Sequence, residues 1–248
     1  MIFDSNWVLE PLVRKLDLRN RLLTVDKDAI LGLPSVVKSI RRNDFVVKEG
    51  EKVSQACFLM SGFAMRNRLV VNGRRQILAI HMKGDLVDLQ NSFLGVADHS
   101  VQTLTDCEVA VIPAAAIKKL AFDFPRVGLA LWIDTLIDGA IFREWIVNVG
   151  RRDAVTRIAH LLCELSVRLE LAGLGEALRY ELPLSQEQIG DATGLTSVHV
   201  NRMLKELVAE ALISRNGSRS LVIDDWQRLA KRAEFDRNYL DLRTRANA

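Results

Sequence analysis

The sequence predicts an α+β fold in three successive parts: a β-rich domain over residues 1–124, a long helix over 125–150, and a compact helical domain over 151–248. Three observations carry this. Short β-rich runs alternate with turn residues from about residue 30 to 113, an apolar stripe of helical period follows Pro125, and two short helical segments meet at Gly194 ahead of a basic hairpin. With 248 residues, 49% hydrophobic and 26% charged, the chain can fill more than one core, which excludes disorder as its state.

The β-rich runs are Val36–Ile40, Phe45–Val47, Cys57–Met60, Phe63–Val71, Gln76–Met82 and Glu108–Ile112. Between them stand Asn43-Asp44, Glu49-Gly50, Ser61-Gly62, Asn72-Gly73 and Lys83-Gly84. Asn72-Gly73 predicts a hairpin with a type I′ turn, because both residues tolerate positive φ. Many short strands at such spacing predict a small sandwich or barrel.

In the long helix, Ile133, Leu136, Ile137, Ala140, Ile141 and Val147 follow the i, i+3, i+4, i+7 pattern, while Asp134, Asp138 and Arg143 lie off it. A stripe between two domains is expected to pack partly on its own chain and partly on a second copy, as in a coiled-coil seam. The expected dimer interface is Ile133, Leu136, Ile137, Ala140, Ile141, Glu144 and Val147; the alternative is a helix buried wholly within one subunit. Arg151-Arg152-Asp153 interrupts the pattern and marks a hinge. Ala154–Leu171 then reads as a helix, stopped at Gly173 and Gly175.

Ser185 and Gln188 form a capping box that starts a short helix, and Gly194 ends it. Thr196 caps a second helix to about Ala209, with Val200, Met203, Leu204 and Leu207 as its apolar face. Two short helices joined by a tight glycine turn have the geometry of a helix-turn-helix. The second helix then exposes Ser197, Val198, His199, Asn201, Arg202 and Lys205. Ile213–Ile223 reads as a hairpin turning at Asn216-Gly217, with Arg215 and Arg219 near its tip, suited as a wing to the phosphate backbone. These residues, with Ser185, Gln186 and Thr196, are the candidate DNA contacts. The whole chain carries only +3, so a basic face must come from local placement of Arg and Lys.

Other chemistries find little support. His81, His99, His160 and His199 are dispersed, and no GxSxG, HExxH or GxxxxGK[ST] pattern occurs, so no catalytic residue is assigned and no enzyme is expected. Cys57, Cys107 and Cys163 form no CxxC, and no metal site is assigned. The N-terminus lacks the pattern of a signal peptide, and Val127–Val149 is interrupted by four charges. A soluble, cytoplasmic protein that does not enter a membrane is expected.

The stretch IGDATGLTSVHVNRMLKELVAEALIS (189–214), followed by the wing, resembles the helix-turn-helix of the CRP/FNR family of regulators. FVVKEGE at 45–51, FLMSGFA at 58–64 and GDL at 84–86 resemble that family's N-terminal domain, so the resemblance spans roughly residues 30–225. It implies a double-stranded β-roll of jelly-roll type, a long dimerisation helix and a winged helix-turn-helix. It also implies a homodimer on pseudo-palindromic promoter sites that contacts RNA polymerase. The family's base-reading positions fall on Ser197, Val198, His199 and Arg202. Only Arg202 keeps the common residue, so a different readout is expected.

Cyclic-nucleotide binders of the family carry a Gly-Glu and, further on, an Arg-Ser. Here Asp88-Leu89 and His99-Ser100 stand near those places and make up the candidate effector pocket. A histidine replaces the planar arginine fork poorly, so a cyclic nucleotide is not the expected effector, and His99 is expected to be a surface loop residue without a ligand. Unclustered cysteines speak against an iron–sulfur cluster. Haem ligation by His81 or His99, and thiol sensing by Cys57 or Cys107, stay open. The resulting expectation is a sequence-specific regulator whose β-roll senses an unidentified signal or none. The alternatives are a cyclic-nucleotide-dependent regulator, or a nucleotide-binding module acting through protein partners.

Overall fold

The computed structural model describes residues 8–175, 178–217 and 219–240. Eight strands build the N-terminal part: β1 (Val36–Ile40), β2 (Phe45–Val47), β3 (Gln55–Ser61), β4 (Phe63–Leu69), β5 (Arg75–Met82), β6 (Leu86–Val87), β7 (Ser100–Thr103) and β8 (Cys107–Pro113). They form two four-stranded sheets, ordered β1-β8-β3-β6 and β2-β7-β4-β5. This is the expected β-roll.

Period-two alternation sorts its core. Leu59 of β3 and Val109 and Val111 of β8 meet Ala64 and Val101 in one apolar cluster. Their neighbours Phe58, Met60, Ala110 and Ile112 point the other way, into a cluster closed by helices α1 (Glu10–Arg19), α2 (Thr24–Leu31) and α4 (Ala114–Asp123). The β3–β4 turn needs glycine: Gly62 has φ +83°, and a Cβ there would lie 2.3 Å from the Asp106 carbonyl oxygen.

Several elements differ from expectation. The first thirty residues supply α1 and α2, with Leu12, Val13 and Leu16 buried on one face of α1. Lys15 of α1 pairs with Asp85 (2.9 Å) and Asp134 (3.0 Å), and Arg19 pairs with Asp134 (3.1 Å). Strand β7 and the short helix α3 (Leu89–Leu94) are additional. The β4–β5 hairpin does not use a type I′ turn. Gly73 N–H donates to Val70 O (2.8 Å), and Gly73 alone in this loop has positive φ, as in a type I turn followed by a bulge glycine.

Helix α5 (Pro125–Arg151) is followed by α6 (Ala154–Leu171), β9 (Arg179–Glu181), α7 (Gln186–Thr193), α8 (Ser197–Ala209), β10 (Ile213–Asn216), β11 (Ser220–Ile223) and α9 (Trp226–Arg232), then a 3-10 turn at Arg237–Tyr239. Strands β10, β11 and β9 make a small third sheet in that order. The chain divides into two compact units within α5. One runs through to Arg68 and resumes over Ile80–Asp138; the other takes Leu69–Ala79 and the chain from Gly139 onward.

The expected stripe on α5 splits between two environments. Ile137 and Ile141 are buried in the chain itself and offer nothing to a second copy, while Ile133, Ala140 and Glu144 are half-buried. The exposed apolar row is Leu129, Trp132 and Leu136, continued by Ile146 and Val147. Sequence periodicity finds the apolar helix but does not separate its buried side from its exposed one.

In the second unit α6 begins where Asp153 caps it, accepting from Thr156 N–H at 2.8 Å. Its fully buried Glu164 accepts from Trp145 Nε1 (2.9 Å), Tyr239 OH (2.9 Å) and Arg168 Nη1 (3.3 Å). No helix among the described residues is long and apolar enough to cross a membrane.

Candidate nucleic-acid interface and the polar site of the β-roll

Helix α7 starts at a reciprocal capping box. Ser185 Oγ accepts from Gln188 N–H (3.2 Å), and Gln188 Oε1 accepts from Ser185 N–H (2.8 Å). It ends at Gly194, whose φ of +71° is the left-handed C-cap the sequence called for. Helix α7 comes close to the following turn at Gly190, where a Cβ would sit 2.4 Å from Leu195 O. That glycine was not singled out from the sequence, although a small residue before a helix-turn-helix turn was its signal. Arg157 of α6 donates to Thr193 O (3.1 Å) and to Arg152 O (2.9 Å), pinning the end of α7. Asp191 accepts from Arg75 Nη2 (2.7 Å) within the same unit.

Helix α8 begins at Thr196, whose Oγ1 accepts from His199 N–H at 3.3 Å. Val200, Met203, Leu204 and Leu207 are buried, as expected. Thr196, Ser197, Val198, Asn201, Arg202 and Lys205 are exposed, with Val198 at 79%. His199 is half-buried, and its Nε2 lies 2.9 Å from Arg202 Nη2. A guanidinium can only donate, so Nε2 accepts and the neutral ring carries its proton on Nδ1. Ser185 is exposed and Gln186 half-buried at the start of α7; on the β10–β11 hairpin Arg219 is exposed and Arg215 half-buried. The predicted DNA contacts thus lie on α8 and its cap, the start of α7 and one hairpin, all in a single unit. Such a set of short polar groups and long cations can meet base edges and phosphates.

The β-roll holds a second polar site. Asp88, 3% exposed, takes a left-handed backbone (φ +65°) at the start of α3. Its Oδ1 accepts from Asn91 Nδ2 (2.6 Å) and lies 3.2 Å from His99 Nε2, an ion-pair separation without hydrogen-bond alignment. His99 Nδ1 faces Asp98 Oδ1 at 2.5 Å. His99 is only 6% exposed, so the expectation of a surface loop residue is corrected: the ring lies between the buried Asp88 and the exposed Asp98. Leu89 turns instead to the apolar cluster under α1 and α2, and Ser100 Oγ accepts from Glu49 N–H (3.0 Å). Of the four predicted pocket residues, Asp88 and His99 meet and the other two do not join them.

The sequence points to neither Asn67 nor Asn91, and to His81 only as a candidate haem ligand; all three are at least nine-tenths buried. Asn67 faces Ser100 across the β4–β7 ladder, and no spacing in the sequence announces that. Among the described residues, buried side-chain nitrogens and oxygens without a hydrogen-bond partner are confined to the β-roll, and include Asn67 Nδ2, His81 Nε2, Asp88 Oδ2 and Asn91 Oδ1. Each such atom costs about 1–3 kcal/mol if left dry and unmet. Burial pulls the Arg66 guanidinium below its usual range, while Asp138, Asp88 and Asp98 pull it back. Arg66 Nη2 donates to Gln90 Oε1 at 3.3 Å. Among the described residues no group of three or more His, Cys, Asp or Glu is placed to hold a metal ion. Burial pushes the Cys57 thiol up to about 11 and Cys163 higher still, which makes both poor nucleophiles.

Comparisons with known proteins give a consistent result. The model of the cyclic nucleotide-binding domain matches residues 37–123, and that of the Crp-like helix-turn-helix domain matches residues 156–232. The chain is 26% identical over 202 residues to the transcriptional activator protein FnrL of Cereibacter sphaeroides, covering 80% of this chain and 81% of the relative. It is 28% identical over 193 residues to the nitrogen fixation regulation protein FixK of Rhizobium meliloti, covering 77% and 83%. Among solved structures, FixK2 from Bradyrhizobium japonicum aligns with a TM-score of 0.74 at 27% identity, over 80% of this chain and 97% of that one. CooA from Carboxydothermus hydrogenoformans shares the fold, with a TM-score of 0.66 at 18% identity over 94% of this chain and 98% of that one.

Proposed function

Because the chain belongs to the CRP/FNR family of transcription regulators, we propose that it acts as a homodimer whose two α8 helices enter the major groove of a pseudo-palindromic promoter site. The family's members are DNA-binding regulators and not enzymes, and this chain regulates transcription through its Crp-like helix-turn-helix.

The observation that carries this reading is the division of α8 into a fully packed face and an open polar one. Ser197 and Val198 on its first turn reach base edges, with Val198 suited to a thymine methyl. Arg202 reaches guanine or phosphate, and Asn201, His199 and Lys205 flank it. Arg215 and Arg219 of the wing, with Ser185, Gln186 and Thr196 at the helix starts, meet phosphates. Dimerisation is supported by the row Leu129, Trp132 and Leu136 with Ile146 and Val147, which a lone chain leaves in water. The β-roll is the signal-sensing part, and RNA polymerase in the cytoplasm is the further partner.

The test is selection of genomic fragments by the purified protein, followed by affinity measurements on the enriched site. One inverted-repeat motif is expected. Arg202→Ala should weaken cognate binding by about 1–3 kcal/mol and relax specificity, whereas Arg219→Ala should weaken all sequences about equally. If neither substitution alters DNA affinity, the assignment of helix and wing is wrong.

A further inference from the structure

We propose that Lys15 and Arg19 of α1 are positioning residues for self-association: through Asp134 they fix the turn of α5 about its own axis, and so decide which of its two apolar sides faces a second copy. The proposal rests on the reading of the chain as a homodimer along α5.

The first half of α5 poses a problem that apolar burial alone does not solve. At about 100° per residue, Val127, Ala130, Leu131 and Ile137 fall on one side of the helix, and Leu129, Trp132 and Leu136 on the opposite one. The first set is buried, whereas each of the second is at least half exposed. The hydrophobic effect has no direction, and it tells two apolar sides of this size apart only weakly.

Charge distinguishes the two sides. Asp134 stands in the middle of the inward one and is 8% exposed. Its Oδ2 lies 3.0 Å from Lys15 Nζ and its Oδ1 accepts from Arg19 Nε at 3.1 Å, so each carboxylate oxygen has its own cation. The two cations stand one turn apart on α1. Lys15 Nζ also donates to Asp85 at 2.9 Å, which ties the clamp to the turn between β5 and β6. Burial pulls the Lys15 ammonium down, yet Asp134, Asp85 and Asp138 outweigh it and hold the group above its usual range, so the clamp stays charged. All these residues, and the exposed row as far as Leu136, belong to one compact unit.

A turn of α5 away from this setting would carry Asp134 from two cations into apolar surroundings and leave Arg19 without its carboxylate. Breaking a partly buried pair in this way is strongly unfavourable. A buried polar group that selects one packing among several apolar ones acts as a polar residue does in a coiled-coil seam. The clamp thus holds Leu129, Trp132 and Leu136 in one outward line, and neither cation needs to touch the second copy to do so.

The experiment is disulfide cross-linking of the full chain with one cysteine introduced at a time. Leu136→Cys lies in the outward line, and Ile133→Cys and Thr135→Cys stand at half-buried positions on its flanks. The chain without an added cysteine is the blank for Cys57, Cys107 and Cys163. In the otherwise native chain Leu136→Cys is expected to form the covalent dimer about tenfold faster than either flank. Asp134→Leu removes the charge, fills the space and leaves Lys15 with Asp85; it should bring the three rates within about threefold of one another. Arg19→Met makes the same test from α1 should Asp134→Leu not fold. A residue that serves only stability would shift Tm and leave the ratio of the three rates alone. A ratio unchanged from the native chain in these variants overturns the proposal and leaves the homodimer standing. Absence of a cross-link at all three positions in the native background overturns the homodimer reading, and this proposal with it.

Discussion

Both units bury charge, and they settle it in opposite ways. In the DNA-binding unit Glu164 is fully buried, yet three donors reach its carboxylate, and His160 Nδ1 faces the Ala233 carbonyl at 3.1 Å. In the β-roll Asp88 and Asn91 are buried almost as deeply, and each keeps an oxygen that nothing in the fold reaches. A buried polar network with every lone pair met fixes one geometry, because any displacement breaks several bonds at low dielectric. One with acceptors left over carries a desolvation cost that the fold itself does not offset. The first is a frame that holds α5, α6 and the C-terminal 3-10 turn together; the second leaves part of its polar surface unmet.

That contrast can be broken or sharpened by substitution. The largest effect is expected at Glu164→Ala, which takes a buried acceptor away from Trp145, Tyr239 and Arg168 and should cost about 3 kcal/mol in urea unfolding followed by tryptophan fluorescence. Next is Gly190→Ala. Its methyl would press on a backbone oxygen, so about 2 kcal/mol of stability should go, and with it the placement of α8 on DNA.

Asp153→Ala removes the cap of α6 and should cost about 1 kcal/mol. The hydrogen bond from Thr156 N–H holds the Asp153 carboxyl below its usual range. A depressed folded value means that the capped state gains stability above the unfolded carboxylate range and loses it as pH falls through the folded value. Wild type should therefore lose stability faster on acidification than Asp153→Ala, and matching pH profiles would remove the cap from the account. The smallest effect is expected at Asp88→Asn, under about 0.5 kcal/mol, because asparagine tolerates the left-handed backbone and keeps an oxygen for Asn91. Should it cost as much as Glu164→Ala, the two networks are alike and the comparison falls.

The same division governs what could be read from the chain. The bounds of α6, α7 and α8 were legible because their signals are local: Asp153, Ser185 with Gln188, Thr196 and Gly194 each act within one turn. Strand β7 was not, since Ser-Val-Gln-Thr has no apolar run and is held by its ladder with β4. In the polar site Asp88 and His99 were legible through the family resemblance, whereas Asn91 joins Asp88 by a side-chain bond that no motif announces. On α5, periodicity announced an apolar helix without telling its inward side, Ile137 and Ile141, from its outward one, Leu129, Trp132 and Leu136.

That outward row carries its own optical label. Trp132 is 67% exposed on α5, whereas Trp145 on the same helix is 7% exposed and bonded to Glu164. If two chains meet along the row, as proposed above, Trp132 passes from water into an apolar seam and its emission moves to shorter wavelength, while Trp145 emits from an unchanged setting. Dilution of the native protein then titrates its self-association through intrinsic fluorescence, with no dye attached and no residue replaced.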